Sequence, residues 1–274
     1  MASDQHSPPL WLWPNLLSLD APLVAVLWQA FLAYQFSLPL RPAWRIELGL
    51  TVWAIYILDR LLDARKPPAV IETGGEPARH RFYRRHSKPM ATLLAVVLAT
   101  DAAIAILCLR PAVLRDGLIP LAGVVVYLAI FHIPARAGKI PKEIAAAVLF
   151  TAGTFLTAWI TLPCPGLAWA ASAFFILCLA NMIAIETWEW RETSHRALAL
   201  HPCTRWLAST YLFWVLLAVL ACAIVGRNEW YASIAMSAGA CAVLFWLGGR
   251  LPLDARRALV DGVLLSPLVF LLLR

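Results

Sequence analysis

ATLLAVVLATDAAIAILCL, residues 91–109, is an unbroken apolar run whose single charged side chain is Asp101. It is rich in Leu and Ala and shows no alternation of polar and apolar positions. Its length is close to the roughly 20 residues that an α-helix needs to cross a hydrocarbon core of about 30 Å. A membrane-spanning barrel strand would show about ten residues of alternating polarity instead. Lipid offers a bare backbone no hydrogen bonds, so a helix, which satisfies its own N–H and C=O groups, is the conformation this run demands.

Working outward, comparable runs recur at 20–39, 46–63, 89–109, 117–133, 143–161, 167–186, 205–225, 230–249 and 255–273. The expected fold is an all-α integral membrane protein. It is a bundle of nine transmembrane helices over residues 20–274, preceded by a cytoplasmic N-terminal segment, residues 1–19. Composition agrees, with 61% apolar residues, 14% charged and a mean hydropathy of +0.73, against soluble averages of about 45–50% and about 25%. That balance excludes a soluble enzyme, a disulfide-rich secreted domain and a disordered chain. The opening MASDQHSPPLWLWPN has no basic n-region and is not read as a cleaved signal. Six scattered cysteines form no CxxC pair and are read as small packing residues.

Orientation follows from the basic residues of the loops. Under the nine-span layout, Arg65, Lys66, Arg79, Arg81, Arg84, Arg85 and Lys88 follow span two. Three more basic residues follow each of spans four, six and eight. The face with the even-numbered span ends thus carries 16 of the 23 Lys and Arg residues, and the opposite face carries six. The expectation is an N-terminus in the cytoplasm and a C-terminus outside, in a bacterial cytoplasmic membrane. The net charge of +7 belongs mostly to the cytoplasmic face, where it attracts anionic membrane lipids. No nucleic-acid-binding module surrounds these charges, so nucleic acid is not an expected partner.

Ionisable side chains at helix depth are costly unless paired, hydrated or functional. In AIYILDRLLDARK, residues 54–66, Asp59 and Asp63 stand four apart and share one helical face. Their repulsion is relieved by a divalent cation such as Mg²⁺, which takes one or two carboxylates beside water and phosphate oxygens. It is equally relieved by Arg60, Arg65 or Lys66. NMIAIETWEWRE, residues 181–192, places Asn181, Glu186, Glu189 and Glu192 at the end of span six. They read as a second ligand cluster or as solvated acids beside Arg191 and Arg196. Two basic stretches, HRFYRRHSK (80–88) and RAGKIPKE (136–143), share that face and carry what a diphosphate requires. No HExxH or HxxxH spacing supports a zinc site. Asp101 is either a functional acid or an interhelical hydrogen-bonding group. Trp11, Trp13, Trp188, Trp190, Trp206 and Trp230 read as interfacial anchors.

These residues resemble the UbiA-type intramembrane prenyltransferase superfamily, whose members have nine transmembrane helices and two Asp-rich motifs after helices two and six. The first family motif, NDxxDxxxD, is similar to Ile55 through Asp63: its last two acids are Asp59 and Asp63, while Ile55-Tyr56 stands in place of Asn-Asp. The second aligns with Asn181 through Glu189, with Ile185 in the middle acid's place and Glu186 beside it. Leu19-Asp20-Ala21-Pro22-Leu23 looks like the family's entry to helix one. Tyr127 and Lys139-Ile140-Pro141-Lys142 look like its tyrosine and basic loop.

What the resemblance implies is transfer of an isoprenoid group from a prenyl diphosphate to an aromatic or other lipophilic acceptor. Mg²⁺ would be held by Asp59, Asp63, Asn181, Glu186 and Glu189, with Asp59, Asp63 and Glu186 as the catalytic set. Lys139, Lys142, Arg81 and Arg85 would add positive charge, and Tyr127 would complete the substrate site. The departures from the motifs leave open an alternative: an inactive member that binds prenyl lipid or acts as a scaffold. A CDP-alcohol phosphotransferase lacks support, because DGxxAR is absent. A carrier is disfavoured because the acids cluster at one face.

Overall fold

The computed structural model of the protein describes residues 8–65, 77–132, 141–192, 200–226 and 228–273. Every regular element among them is helical. In chain order these are α1 (Trp13–Leu16), α2 (Asp20–Gln35), α3 (Pro42–Asp63), α4 (Ala78–Arg85), α5 (Ser87–Cys108), α6 (Pro111–His132), α7 (Lys142–Thr161) and α8 (Pro165–Glu192). They continue with α9 (Pro202–Ser209), α10 (Tyr211–Val225), α11 (Glu229–Leu247), α12 (Leu253–Gly262) and α13 (Pro267–Leu272).

Five segments are long and apolar enough to cross a membrane: α5, α6, α7, α8 and the stretch Glu229–Arg250 that contains α11. Two bent pairs raise the number to seven. Leu10–Leu16 meets α2 at 82°, and α9 meets α10 at 68°. Two expected spans do not qualify by the same measure. The 22-residue α3 is long enough, but Arg45, Glu47, Asp59, Arg60 and Asp63 make it too charged. The stretch expected at 255–273 divides into α12, a 3₁₀ turn (Val263–Leu265) and α13.

That division has a local cause. Pro267 has no N–H to give and sits at the start of α13, which breaks the ladder. The carbonyls and hydroxyls freed there are taken up by neighbours: Ser237 donates to the carbonyl of Val263 at 2.6 Å, and Trp28 Nε1 donates to that of Leu264 at 2.8 Å. Ser266 is bound to both Ser233 and Ser237. At the other end of the chain, the left-handed residue Ser18 (φ 55°) makes the turn between α1 and α2, and its hydroxyl lies 2.9 Å from that of Tyr83.

The 28-residue α8 forms the axis of the core. α7, α11 and α12 pack around it. An aromatic nest of Trp28, Phe31, Phe155, Phe174 and Trp230 fills the centre. Trp188 and Trp230, expected at the interface, are fully buried instead. In contrast, α5 and α6 expose Val96, Leu98, Ile106, Leu118, Ile119 and Val125 on the outside of the bundle.

Candidate functional site

The C-terminal halves of α3 and α8, separated in sequence by more than a hundred residues, deliver their acids to one neighbourhood. Arg60 joins them: it lies within electrostatic reach of Asp59 and Asp63 on its own helix, and of Glu189 on α8 and Asp20 on α2. Tyr127 of α6 stands within similar reach of Asp59, Lys142 and Arg60, with its ring packed 4.7 Å from that of Phe131.

On the α3 side, His132 at the end of α6 faces both carboxylates. Its Nε2 is 3.1 Å from Asp59 Oδ1 and its Nδ1 is 3.9 Å from Asp63 Oδ1. Arg60 is 4.0 Å from Asp59 Oδ2. The imidazole thus lies where a cation between two stacked carboxylates is needed. Its Nδ1 is buried and has no hydrogen-bond partner within bonding distance among the described residues.

On the α8 side, each acid meets a base. Lys142 Nζ, at the start of α7, is 2.7 Å from Glu186 Oε2. Glu189 accepts from Arg79 of α4 at 3.0 Å and from Arg257 of α12. Glu192 pairs with Arg256. Asn181 turns to α12, donating to the carbonyl of Val260 at 3.0 Å and to Asp261 at 3.2 Å. Asp261 in turn faces Asp20, which is held by Asn15 at 2.8 Å. α8 and α12 are therefore laced by three rungs: 192 with 256, 189 with 257, and 181 with 260–261.

Arg79, Arg256 and Arg257 are 8%, 4% and 1% exposed. Arg79 Nε, Arg256 Nε, and Arg257 Nε and Nη1 have no acceptor among the described residues. Buried N–H groups on charged guanidinium forks without acceptors are costly, and an oxyanion removes that cost. α4 carries Arg79, His80 and Tyr83 and lies outside the candidate spans. Burial, and then the charge of nearby Arg60, hold the Arg79 guanidinium below its ordinary value. Burial, followed by the charges of Arg79 and Arg60, pushes the His80 imidazole down to about 3. The Tyr83 phenol is held above its ordinary value by burial, an effect its bond to Ser18 opposes.

With the geometry given, comparison adds no relative: the chain matches no family model, no curated protein and no solved structure.

The residues expected from sequence are distributed unevenly. Asp59, Asp63, Glu186, Glu189, Lys142 and Tyr127 gather at the junction of α3, α6, α7 and α8. Asn181 is two turns deeper and is engaged with α12. Arg81 and Arg85 occupy the exposed face of α4, while Arg79, not singled out, reaches the acids. Lys139 lies outside the described residues. His132, Arg60, Arg257 and Asp261 complete the constellation. Their participation depends on helix pairings between distant segments, which no local spacing encodes.

Among the described residues no three His, Cys, Asp or Glu side chains converge on a point that would enclose a metal ion. A divalent ion shared with phosphate oxygens asks for less. One or two carboxylates suffice for Mg²⁺, and the Asp59–Asp63 pair supplies two, with His132 Nδ1, which makes no hydrogen bond among the described residues, 3.9 Å from Asp63. The α8 acids are already balanced by Lys142, Arg79 and Arg257 and supply a charged wall instead.

Proposed function

We propose that the protein is an integral membrane enzyme that transfers an isoprenoid group from a prenyl diphosphate to a lipophilic or aromatic acceptor, with Mg²⁺ as cofactor. The observation that supports this reading is the set of buried Arg79 and Arg257 N–H groups that have no acceptor among the described residues, with Arg79 within electrostatic reach of Asp63. Such a place asks for a polyanion. We take α3 and the α12–α13 stretch as the eighth and ninth spans, which gives the UbiA-like bundle that the sequence resembles. The acidic ends of α3 and α8 then face the cytoplasm of a bacterial cell.

In this reading Asp59 and Asp63 would hold Mg²⁺, which when bound would supply positive charge to the diphosphate oxygens. Arg79 and Arg257 donate to the non-bridging oxygens, and Lys142 adds a point charge. As the carbon–oxygen bond breaks, negative charge grows on the leaving diphosphate. Cations fixed in advance by Glu186 and Glu189 stabilise that state without reorganising. The apolar helices shield the allylic cation from water.

One observation favours a second reading, a prenyl-lipid-binding or scaffold protein without chemistry. Glu186, Glu189 and Asn181 already have partners within the protein. Calorimetric titration of the detergent-solubilised protein with farnesyl thiodiphosphate, in Mg²⁺ and in EDTA, separates the readings when joined to a turnover assay. The enzyme reading expects Mg²⁺-dependent binding, and turnover reduced about 10²-fold or more in Asp63→Ala. Binding without turnover favours the scaffold; no binding in either buffer overturns both.

A further inference from the structure

Far from the acidic junction, where the second half of α2, the start of α3 and the last turns of α7 meet, a cavity of about 10 Å³ lies between the three helices. Gln29 of α2, Trp44 of α3 and Thr157 of α7 line it, and Leu38, Pro39 and Leu40 of the connection between α2 and α3 complete a mostly apolar wall. The left-handed Ser37 (φ 52°) turns the chain into that connection, and the Leu38 N–H donates to the carbonyl of Ala33 at 2.8 Å. Gln29 and Trp44 are 2% and 3% exposed. Gln29 Nε2 donates to Thr157 Oγ1 at 3.3 Å, but Gln29 Oε1 and Trp44 Nε1 are buried and make no hydrogen bond among the described residues. A buried amide oxygen and a buried indole N–H left in this way are costly, since both were hydrogen-bonded in water before folding.

We propose that this cavity binds one water molecule, which accepts from Trp44 Nε1–H and donates to Gln29 Oε1 and so ties α3 to α2. The chemistry of the two groups selects the ligand. One is an acceptor and the other a donor only, so an anion would face the Gln29 oxygen and a cation would face the indole N–H. A neutral molecule that both donates and accepts suits the pair. Size selects further: a bound water needs roughly 10–15 Å³ and two to four polar partners, and Thr157 Oγ1, on the same wall, offers a third. The choice also survives rotation of the Gln29 amide, which exchanges its oxygen and nitrogen. The water then accepts from Nε2 and Nε1 together. Arg110, over the Trp44 ring at 6.0 Å from its centroid, carries no acceptor and does not compete. The inference does not rest on the prenyl-transfer reading, because the cavity lies at the opposite end of α3 from Asp59 and Asp63.

The test is nuclear magnetic resonance of the full detergent-solubilised protein carrying ¹⁵N-labelled tryptophan. The indole signal of Trp44 is the one lost in Trp44→Phe, and that of Trp28 the one lost in Trp28→Phe. In the unsubstituted protein, Trp44 Nε1–H should give cross-peaks to water of opposite sign in laboratory-frame and rotating-frame Overhauser spectra, which separates a bound water from hydrogen exchange. Trp28, whose Nε1 donates to the Leu264 carbonyl at 2.8 Å, should give none. Gln29→Leu should abolish the Trp44 cross-peaks while its indole signal and the melting transition persist. Should that variant fail to fold, the contrast between Trp44 and Trp28 still decides. Absence of the cross-peaks at Trp44 in the unsubstituted protein, equal cross-peaks at Trp28, or undiminished ones in folded Gln29→Leu would each overturn the assignment.

Discussion

At the scale of single residues, His80 is the group whose titration has the clearest consequence. An unfolded histidine titrates near 6.5, whereas in the folded protein burial and the charges of Arg79 and Arg60 push it down to about 3. Between those values the unfolded chain holds a proton that the folded chain does not. Stability therefore rises with pH from about 3 to about 6.5 and is level above. His80→Gln, neutral throughout, should remove most of that slope. Melting temperatures at pH 5 and pH 7.5, measured for both proteins in one detergent, provide the check. An unchanged difference between the two pH values would show that His80 is solvated.

Among elements, α4, α8 and α12 meet at one carboxylate. Glu189 is the shared acceptor of Arg79 and Arg257, and Arg257 is 1% exposed. Glu189→Gln leaves two buried guanidinium groups facing a neutral amide, and breaking a buried pair in this way costs about 3–5 kcal/mol. A drop of several degrees in melting temperature is expected, larger than that of Glu192→Gln. Packing fixes another element boundary. A Cβ on Gly248 would meet Trp188 Nε1 at 2.6 Å, and Trp188 is fully buried. Gly248→Ala should thus cost about 1–3 kcal/mol, and thermal unfolding should detect it, whereas Gly239→Ala, with open space at its Cβ, should not.

Elements also show what could be read from the chain and what could not. The apolar runs announced α5, α6, α7, α8 and α11, because hydropathy over some 20 residues is a local property. The breaks at Thr210 and at Ser266-Pro267 were not read from it. At Ser266-Pro267 the hydrogen bonds that an unbroken helix supplies itself come from Ser233, Ser237 and Trp28, and at Thr210 the carbonyls of Trp206 and Leu207 are taken up by the side chains of Thr210 and Trp214. Trp188 and Trp230 lie near the expected span ends, where local sequence favours an interfacial anchor, but the tertiary fold draws them into the core. At the site, the i, i+4 spacing of Asp59 and Asp63 was legible. His132, which faces them from 73 positions away, was not.

For the whole molecule, the deciding question is whether α3 crosses the membrane, since its crossing reverses the side of everything that follows. Length permits it: 22 residues at 1.5 Å rise exceed the roughly 30 Å required. Charge opposes it, but Asp59, Arg60 and Asp63 sit in the last turns, where they reach headgroups or the polar junction. Glu47 and Arg45 likewise sit near the first turns. With α3 across, the basic residues from Arg79 to Lys88 fall on the same side as the N-terminus, and in the proposed orientation, with that side cytoplasmic, they obey the positive-inside rule. With α3 lying on one side and the N-terminus kept in the cytoplasm, that basic stretch is placed outside. Single-cysteine variants in a cysteine-free background distinguish the two. Pro39→Cys and Arg85→Cys occupy exposed positions on either side of α3. An impermeant maleimide added to intact cells should label Cys at position 39 and spare the one at 85, which should react only after the membrane is opened. Labelling of both from outside would remove α3 from the spans, and with it the cytoplasmic placement of Asp59 and Asp63 on which the proposed chemistry depends.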